Sequence, residues 1–397
     1  MTEIGWTRQL LAISTRSLSV ALDPDALLDK AQRQTGLSNF GSAAFHKPFE
    51  ILLQSLREEA RLSARGIFIM NRTMLRLLTN RLRTEQVFAE NPTLADVPIR
   101  RPLYIIGFPR TGTTLLHNLL ACDPVARWLH LWEGLYPAPS PQSLETDPRI
   151  TEVAEWVTGF EKVAPRLAAA HKLAPRGPEE CLWLIEHTFN DLIFELRAHV
   201  PTYSRWLAEH EADVDIHQYY LRQLQMLGAH CNGAHWVFKA PRHLPGLKGL
   251  LTVLPEARIV QTHRDPAAVL PSLCSLCEIL RGAASDAVDK PAIGAHWHSR
   301  LKAIFEQATA VRATAAEGQI LDIQYADLMV DPIAIVQHIY AHHGYEFTEP
   351  FESAMRQWLA ANRQHKHGAH RYKLEEYGLS EAQVHEDFSE YAKEFGL

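Results

Sequence analysis

The 397-residue chain has few cysteines, no excess of positive charge and no long uncharged apolar run. Its five cysteines are an odd number, which argues against a disulfide framework and favours a reducing compartment. A formal net charge of −6 argues against nucleic acid as a bulk partner. No basic segment followed by an apolar run stands near the first residues. We therefore expect a cytoplasmic protein without an integral membrane segment.

The composition, with 46% hydrophobic and 22% charged residues, is that of a folded protein with a large core. Apolar residues at helical spacing predict a helical cover over residues 1–98, ahead of an α/β domain over residues 99–397. A helical insertion is expected at about residues 150–232. Six arginines of the N-terminal region are interpreted as a solvated helix face. They are Arg57, Arg61, Arg72, Arg76, Arg81 and Arg83.

Residues 103–121 have the pattern of a buried strand, a tight glycine loop and an amphipathic helix. Gly107 and Gly112 let the backbone turn sharply and approach a ligand, and the helix start directs N–H groups at one spot. Such a loop binds phosphate or a similar anion. A nucleotide-triphosphate P-loop would carry lysine after Gly112, where this chain has Thr113. Arg110 supplies a cation inside the loop instead.

Three further strands are predicted near residues 235–239, 258–262 and 320–324, which gives a P-loop-like central parallel sheet flanked by helices. Because ligands bind at the carboxyl ends of such strands, Lys239 and His243 are expected to face the same crevice as Arg110. A helix is predicted to begin after Asp265 as N-cap, with Pro266 as its first residue.

The sequence Gly-Phe-Pro-Arg-Thr-Gly-Thr-Thr at residues 107–114 resembles the 5′-phosphosulfate loop of sulfotransferases, which use 3′-phosphoadenosine 5′-phosphosulfate (PAPS). Arg264 and Ser272 match, in type and separation, the pair with which this family grips the donor's 3′-phosphate. The resemblance also implies that a late basic loop, at about residues 363–375, folds over the donor. The donor-binding residues it implies are Pro109, Arg110, Thr111, Gly112, Thr113, Thr114, Arg264, Ser272, His370 and Arg371.

The stretch from Lys239 to His243-Leu-Pro is similar to the Lys-Thr-His-Leu-Pro segment of cytosolic sulfotransferases, with two additional residues between the lysine and the histidine. The similarity implies that Lys239 contacts the transferred sulfuryl group and that His243 is the base. Glu133 and Glu180 are alternative bases, since the tyrosylprotein branch uses a carboxylate. For Glu133, a surface or helix-capping role is an equal interpretation.

The resemblance predicts in-line transfer of a sulfuryl group from PAPS to a hydroxyl of a small organic acceptor, assisted by a general base and without a metal ion. A homo-oligomer is compatible with the sequence. Two other functions stay open at this point. One is an ATP-dependent kinase, in which Asp322 would be the Walker B acid; the other is a non-catalytic nucleotide-binding module.

Overall fold

The centre of the molecule is a parallel sheet. The computed structural model describes residues 21–139, 147–163, 173–229, 233–362 and 373–397. The strands in these ranges are β1 (Leu103–Gly107), β2 (Ala126–Trp128), β3 (His235–Lys239), β4 (Arg258–His263) and β5 (Ile320–Gln324). Their order is β2-β3-β1-β4-β5, and each neighbouring pair is parallel. The predicted α/β class is therefore confirmed.

Helices flank the sheet. In the described residues the α-helices are α1 (Pro24–Thr35), α2 (His46–Glu58), α3 (Ala64–Glu90), α4 (Thr113–Leu120), α5 (Leu131–Leu135), α6 (Pro148–Val163), α7 (Leu182–Ile185), α8 (Ile193–Arg197), α9 (Pro201–His210), α10 (Val214–Gly228), α11 (Leu247–Val253), α12 (Pro266–Ala284), α13 (Lys290–Arg312), α14 (Tyr325–Val330), α15 (Pro332–His343), α16 (Glu349–Ala361), α17 (Glu381–Asp387) and α18 (Ser389–Phe395). Helices α1 to α3 lie within the segment predicted as a helical cover, and α6 to α10 overlap the predicted insertion. The division between residues 98 and 99 stays a prediction.

The two faces of the sheet belong to two separate apolar clusters. Leu103 and Ile105 of β1 pack with α4, α15 and α16, whereas Tyr104 and Ile106 belong to the larger cluster on the opposite face. This alternation follows from the two-residue period of a strand. All residues of β1 and β3 are buried, as expected for central strands covered on both faces.

The edge strand β2 was not among the predicted strands. It is short and only half-buried, and its central residue is Arg127, so it lacks the continuous apolar run by which the other strands were recognised. Its backbone nevertheless pairs with β3, with Trp128 beside Val237.

The interpretation of the arginine run as a solvated face is wrong for two of its members. Arg81 is 2% exposed, and its guanidinium lies between the rings of Phe45 and Tyr219, at 4.2 and 4.1 Å from their centroids. Arg76 forms an ion pair with the fully buried Glu186. Aromatic faces and carbonyl groups take the place of water around Arg81, and a carboxylate does so at Arg76. These contacts offset the cost of burying a charge.

Helix α12 connects distant parts of the fold. At its end, the backbone N–H of Ser63 donates to the carbonyl of Ala284 at 3.0 Å, and Arg65 Nε donates to the carbonyl of Ala283 at 2.8 Å. Among the described helices, α12 alone is long and apolar enough to cross a membrane by length and composition. Half of its apolar stretch is buried in the fold, and core helices of soluble proteins often have the same length and composition.

Candidate functional site

The glycine loop (residues 107–114) joins β1 to α4 through backbone conformations that favour glycine. Gly107 has φ 140° and Gly112 has φ 88°. A Cβ added at Gly107 would lie 2.6 Å from the carbonyl oxygen of Thr262, and one at Gly112 would lie 2.9 Å from Leu328 Cδ2. Neither position has room for a side chain. The glycines therefore allow the loop to pass close to β4 and α14.

Arg110 is a non-glycine residue of the loop with a positive φ, 72°. Its neighbour Thr111 is fully buried and donates its hydroxyl to the carbonyl of Phe108 at 2.7 Å. The same hydroxyl lies 2.6 Å from Thr262 Oγ1 at the end of β4. Thr111 thus fastens the loop to the sheet, and the left-handed backbone at Arg110 is held by this surrounding structure.

Three predicted donor-binding residues lie together and form what we call the arginine–serine cluster: Arg110, Arg264 and Ser272. Arg110 Nε donates to Ser272 Oγ at 3.0 Å, and Arg264 Nη1 donates to the carbonyl oxygen of Arg110 at 2.9 Å. The Arg264 guanidinium also lies 4.2 Å from the centroid of the Tyr325 ring. Within the described residues, no hydrogen bond engages either Nη group of Arg110. The cluster can bind an anion with at least two phosphate-sized groups.

The start of α12 places Ser272 in this cluster. Asp265 is the N-cap, as predicted, and its carboxylate accepts from the backbone N–H of Ala267 at 2.9 Å. Pro266 is the first helical residue, also as predicted, and Pro271 lies inside the helix. Ser272 reaches Arg110 in spite of that proline.

Lys239 and Glu180 form a second polar group at the same edge of the sheet. Lys239 is the last residue of β3 and lies beside Ile105 of β1. Its Nζ forms an ion pair with Glu180 Oε1, while the backbone N–H of Cys181 donates to the Lys239 carbonyl at 3.0 Å. The lysine side chain is 2% exposed and that of Glu180 is 17% exposed. Glu180 is thus the more accessible member of this pair.

Glu179, the neighbour of Glu180, makes local contacts just before α7. Its Oε2 accepts from the backbone N–H of Glu180 at 3.1 Å and from Trp183 Nε1 at 3.2 Å. The following helix is the short α7, and Pro178 ahead of it forms a β-bridge with His130. Just before this bridge the chain turns, with the backbone N–H of Gly177 donating to the carbonyl of Ala174 at 2.9 Å.

His243 is enclosed by aromatic side chains. It ends a 3₁₀ turn (Pro241–His243) and is fully buried, with its ring centroid 4.9 Å from that of Tyr104 and 5.5 Å from that of Tyr220. Neither ring nitrogen has a hydrogen-bond partner in the described part of the chain. Burial, followed by the charges of His217 and Arg242, holds its pKa well below the ordinary value. The two additional residues after Lys239 form the turn that directs this side chain inward.

Glu133 caps a helix. Its Oε2 accepts from the backbone N–H of His130 at 3.0 Å in the capping box of α5, and its Oε1 forms an ion pair with Arg127. The residue is 5% exposed. Both carboxylate oxygens are therefore engaged in local contacts, as the helix-capping interpretation of Glu133 predicts.

Pro109 is half-buried in the loop, whereas Thr113 is buried and Thr114 is exposed in the first turn of α4. His370 and Arg371 lie outside the described residues. Asp322, the acid of the kinase alternative, accepts from His263 Nε2 at 2.8 Å and from Arg312 Nη2 at 2.7 Å. No group of three or more His, Cys, Asp or Glu side chains that could hold a metal occurs in the described ranges.

The contacts of the last helix, α18, with the glycine loop and with the end of β4 were not predicted from the sequence. Tyr391 of α18 stacks on Phe108 of the glycine loop with ring centroids 5.3 Å apart, and Phe395 stacks on His263 at 3.7 Å. The spacing of Phe388, Tyr391 and Phe395 is that of one helical face, and this was the available signal.

Comparisons with known proteins agree with this geometry. The model of the sulfotransferase family matches residues 102–349. The chain is 23% identical over 324 residues to the omega-hydroxy-beta-dihydromenaquinone-9 sulfotransferase Stf3 of Mycobacterium bovis, covering 74% of this chain and 75% of the relative. The solved sulfotransferase STF1 of Mycobacterium tuberculosis H37Rv matches with TM-score 0.82 and 30% identity, over 93% of this chain and 98% of that one. STF9 of Mycobacterium avium matches with TM-score 0.85 and 27% identity, over 94% and 97%.

Proposed function

Since the chain belongs to the sulfotransferase family, we propose that it moves a sulfuryl group from PAPS to a hydroxyl of a small organic acceptor. The observation that carries the proposal is the arginine–serine cluster beside the glycine loop. Two guanidinium groups and a hydroxyl converge where the carboxyl ends of β1 and β4 meet a helix start. This combination suits a ligand with two separate anionic groups, such as a nucleotide phosphorylated at both its 3′ and 5′ positions.

We assign the two ends of the donor to different residues. Arg264 and Ser272 bind the 3′-phosphate, with the Ser272 hydroxyl donating to a phosphate oxygen while it accepts from Arg110 Nε. The Nη groups of Arg110 and the N–H groups of Thr113 and Thr114 bind the phosphosulfate end. These donors are fixed before the reaction, so they can stabilise the charge that develops on the leaving phosphate.

Glu180 is the proposed base. It takes the proton of the acceptor hydroxyl as that oxygen forms a bond to sulfur and the bond from sulfur to the donor phosphate breaks. Lys239 holds the Glu180 carboxylate in the resting site and stabilises negative charge on the sulfuryl oxygens during transfer. The burial of His243 and the capping contacts of Glu133 support this choice among the three candidates.

For the acceptor we propose an alcohol with an apolar body. Trp183, which follows Glu180 closely in sequence, contacts Trp156 of α6 edge to face at 5.8 Å, and Trp156 stacks on Phe160 at 5.2 Å. Such aromatic surfaces bind apolar groups beside a polar reacting centre. The relative Stf3 is named for a hydroxylated menaquinone derivative, which has that character. We place the reaction in the cytoplasm, in keeping with free cysteines at positions 122, 181, 274 and 277.

Isothermal titration calorimetry with adenosine 3′,5′-bisphosphate (PAP) and AMP tests the donor assignment. A charge-assisted phosphate contact contributes about 1.5–3 kcal/mol, so we expect PAP to bind about 10- to 100-fold more tightly than AMP. Equal affinities would refute the 3′-phosphate site. A panel of alcohols with labelled PAPS then tests turnover. Binding of PAP without sulfation of any acceptor would favour a non-catalytic module, and phosphorylation with labelled ATP would favour a kinase.

A further inference from the structure

The last helix, α18, contacts both halves of the proposed donor site. The Tyr391 ring stacks on Phe108, with centroids 5.3 Å apart and planes 29° apart, and Phe108 lies between Gly107 and Pro109 of the glycine loop. Phe395 stacks on His263, the residue before Arg264, at 3.7 Å and 20°. Gln324 at the end of β5 donates to the Phe395 carbonyl at 2.5 Å, which fixes the helix end to the sheet.

The Tyr391 hydroxyl is part of a directed chain of hydrogen bonds. Asp322 is held by Arg312 Nη2 at 2.7 Å, and its carboxylate can only accept, so His263 Nε2 at 2.8 Å donates to it. Burial lowers the pKa of His263, which favours the neutral ring, and Nδ1 is then an acceptor. Tyr391 therefore donates its hydroxyl proton to His263 Nδ1 at 3.0 Å.

Arg264, the residue after His263, influences the same hydroxyl through its backbone N–H. Burial raises the pKa of Tyr391, and the backbone N–H of Arg264 is the strongest influence in the opposite direction. An N–H group lowers the pKa of a phenol when it can donate to the phenolate oxygen. Tyr391 thus contacts the side chain of His263 through its hydroxyl and the glycine loop through its ring.

From these contacts we propose that Tyr391 is a positioning residue for recognition of the donor's 3′-phosphate. Its hydroxyl holds the side chain of His263, and through the adjoining peptide it sets the direction in which the Arg264 guanidinium leaves the chain. Packing alone would be satisfied by phenylalanine, whose ring could stack on Phe108 equally well. The proposal rests on the donor assignment above, because it acts through the proposed role of Arg264.

Tyr391→Phe is the direct test, since it removes the hydroxyl and keeps the stacked ring. The matched control is Tyr345→Phe. Tyr345 is also buried, and its hydroxyl donates to the carbonyl of Arg101 at 2.8 Å, near the amino end of β1. Calorimetry on both variants and the parent would give the dissociation constants of PAP and AMP, and urea unfolding would give their stabilities.

We expect Tyr391→Phe to weaken PAP binding about 5- to 10-fold, as for one lost hydrogen bond, and to leave AMP binding within 2-fold of the parent. Tyr345→Phe should change neither affinity. For each variant we compare the PAP affinity with the AMP affinity measured on the same preparation. Partial unfolding lowers the active fraction in both titrations, so it leaves their ratio unchanged. If Tyr391→Phe had the same ratio of PAP affinity to AMP affinity as the parent, the proposal would be overturned. Equal weakening of PAP and AMP, which indicates a general structural role, would also overturn it. Equal PAP and AMP affinities in the parent would instead refute the donor assignment on which the proposal rests.

Discussion

Replacement of Glu180 by glutamine tests the proposed base with a minimal change of shape. The Glu180 side chain is 17% exposed and pairs with Lys239, whose side chain is 2% exposed. Glutamine keeps an oxygen that can accept from Lys239 Nζ, but this amide cannot take a proton from an alcohol. The substitution therefore separates proton transfer from the packing of this region.

The expected loss of turnover is the contribution of a general base, about 10²–10⁴-fold. Donor affinity should stay within about 2-fold, because Glu180 contacts Lys239 while the proposed phosphate ligands are Arg264 and Ser272. Removing one partner of a buried ion pair costs up to about 3–5 kcal/mol. The loss of stability here should be smaller, because the glutamine oxygen still accepts from the lysine and the carboxylate is partly exposed.

Single-turnover assays with labelled PAPS at saturating donor, with urea unfolding of each variant, measure both effects. Glu133→Gln is the matched control, since Glu133 is a buried carboxylate paired with Arg127. It should lose stability and keep its turnover. His243→Leu should also keep its turnover, because it removes ring nitrogens without partners among the described residues. If Glu180→Gln stayed within about 3-fold of the parent while a folded Glu133 or His243 variant lost activity, the assignment of the base would be wrong.

The two arginines of the cluster should fail differently: Arg264→Ala should mainly raise the apparent dissociation constant of PAPS, and Arg110→Ala should mainly lower turnover. Steady-state kinetics with varied donor would reveal the split, and an unchanged donor affinity in Arg264→Ala would contradict our map. Burial raises the pKa of Asp191 from 3.8 to about 7. The folded chain thus holds this proton more tightly than the unfolded chain, so the contribution of Asp191 to stability falls as the pH rises from about 4 to about 7. Asp191→Asn should therefore stabilise the protein more at pH 8 than at pH 5, by about 1.4 kcal/mol for each pH unit between 5 and the folded pKa of about 7. Equal effects in urea unfolding at both pH values would contradict this.

The parts of the fold that follow from local sequence were predicted well. The buried strand at Leu103–Gly107, the sharp turn at Gly112 and the cap at Asp265 each depend on a few neighbouring residues, and the structure confirms all three. The resemblance to sulfotransferases implied that Arg264 and Ser272 act together, and the structure brings both to Arg110.

Predictions that depend on the direction of a side chain were less reliable. The residues around His243 indicate a strand end, but the inward direction of its ring arises from the 3₁₀ turn and from the space between Tyr104 and Tyr220. The sequence favours a surface position for Arg81, yet two aromatic rings from other helices enclose its guanidinium group. Tyr391 is distant in sequence from every motif. Only tertiary packing brings these groups together, so no local sequence pattern predicts their contacts.

The order of strands in the sheet has a consequence for how the chain is made. β1 is the middle strand, yet its neighbours β3 and β4 begin only at His235 and Arg258. At ~5–20 residues per second of synthesis, β1 emerges roughly ten seconds before either partner exists. Throughout that interval an apolar strand with open edges can pair with the wrong chain. We expect the yield of folded protein to depend on how well residues 103–107 are shielded until residue 263 has left the ribosome, a delay imposed by chain order alone.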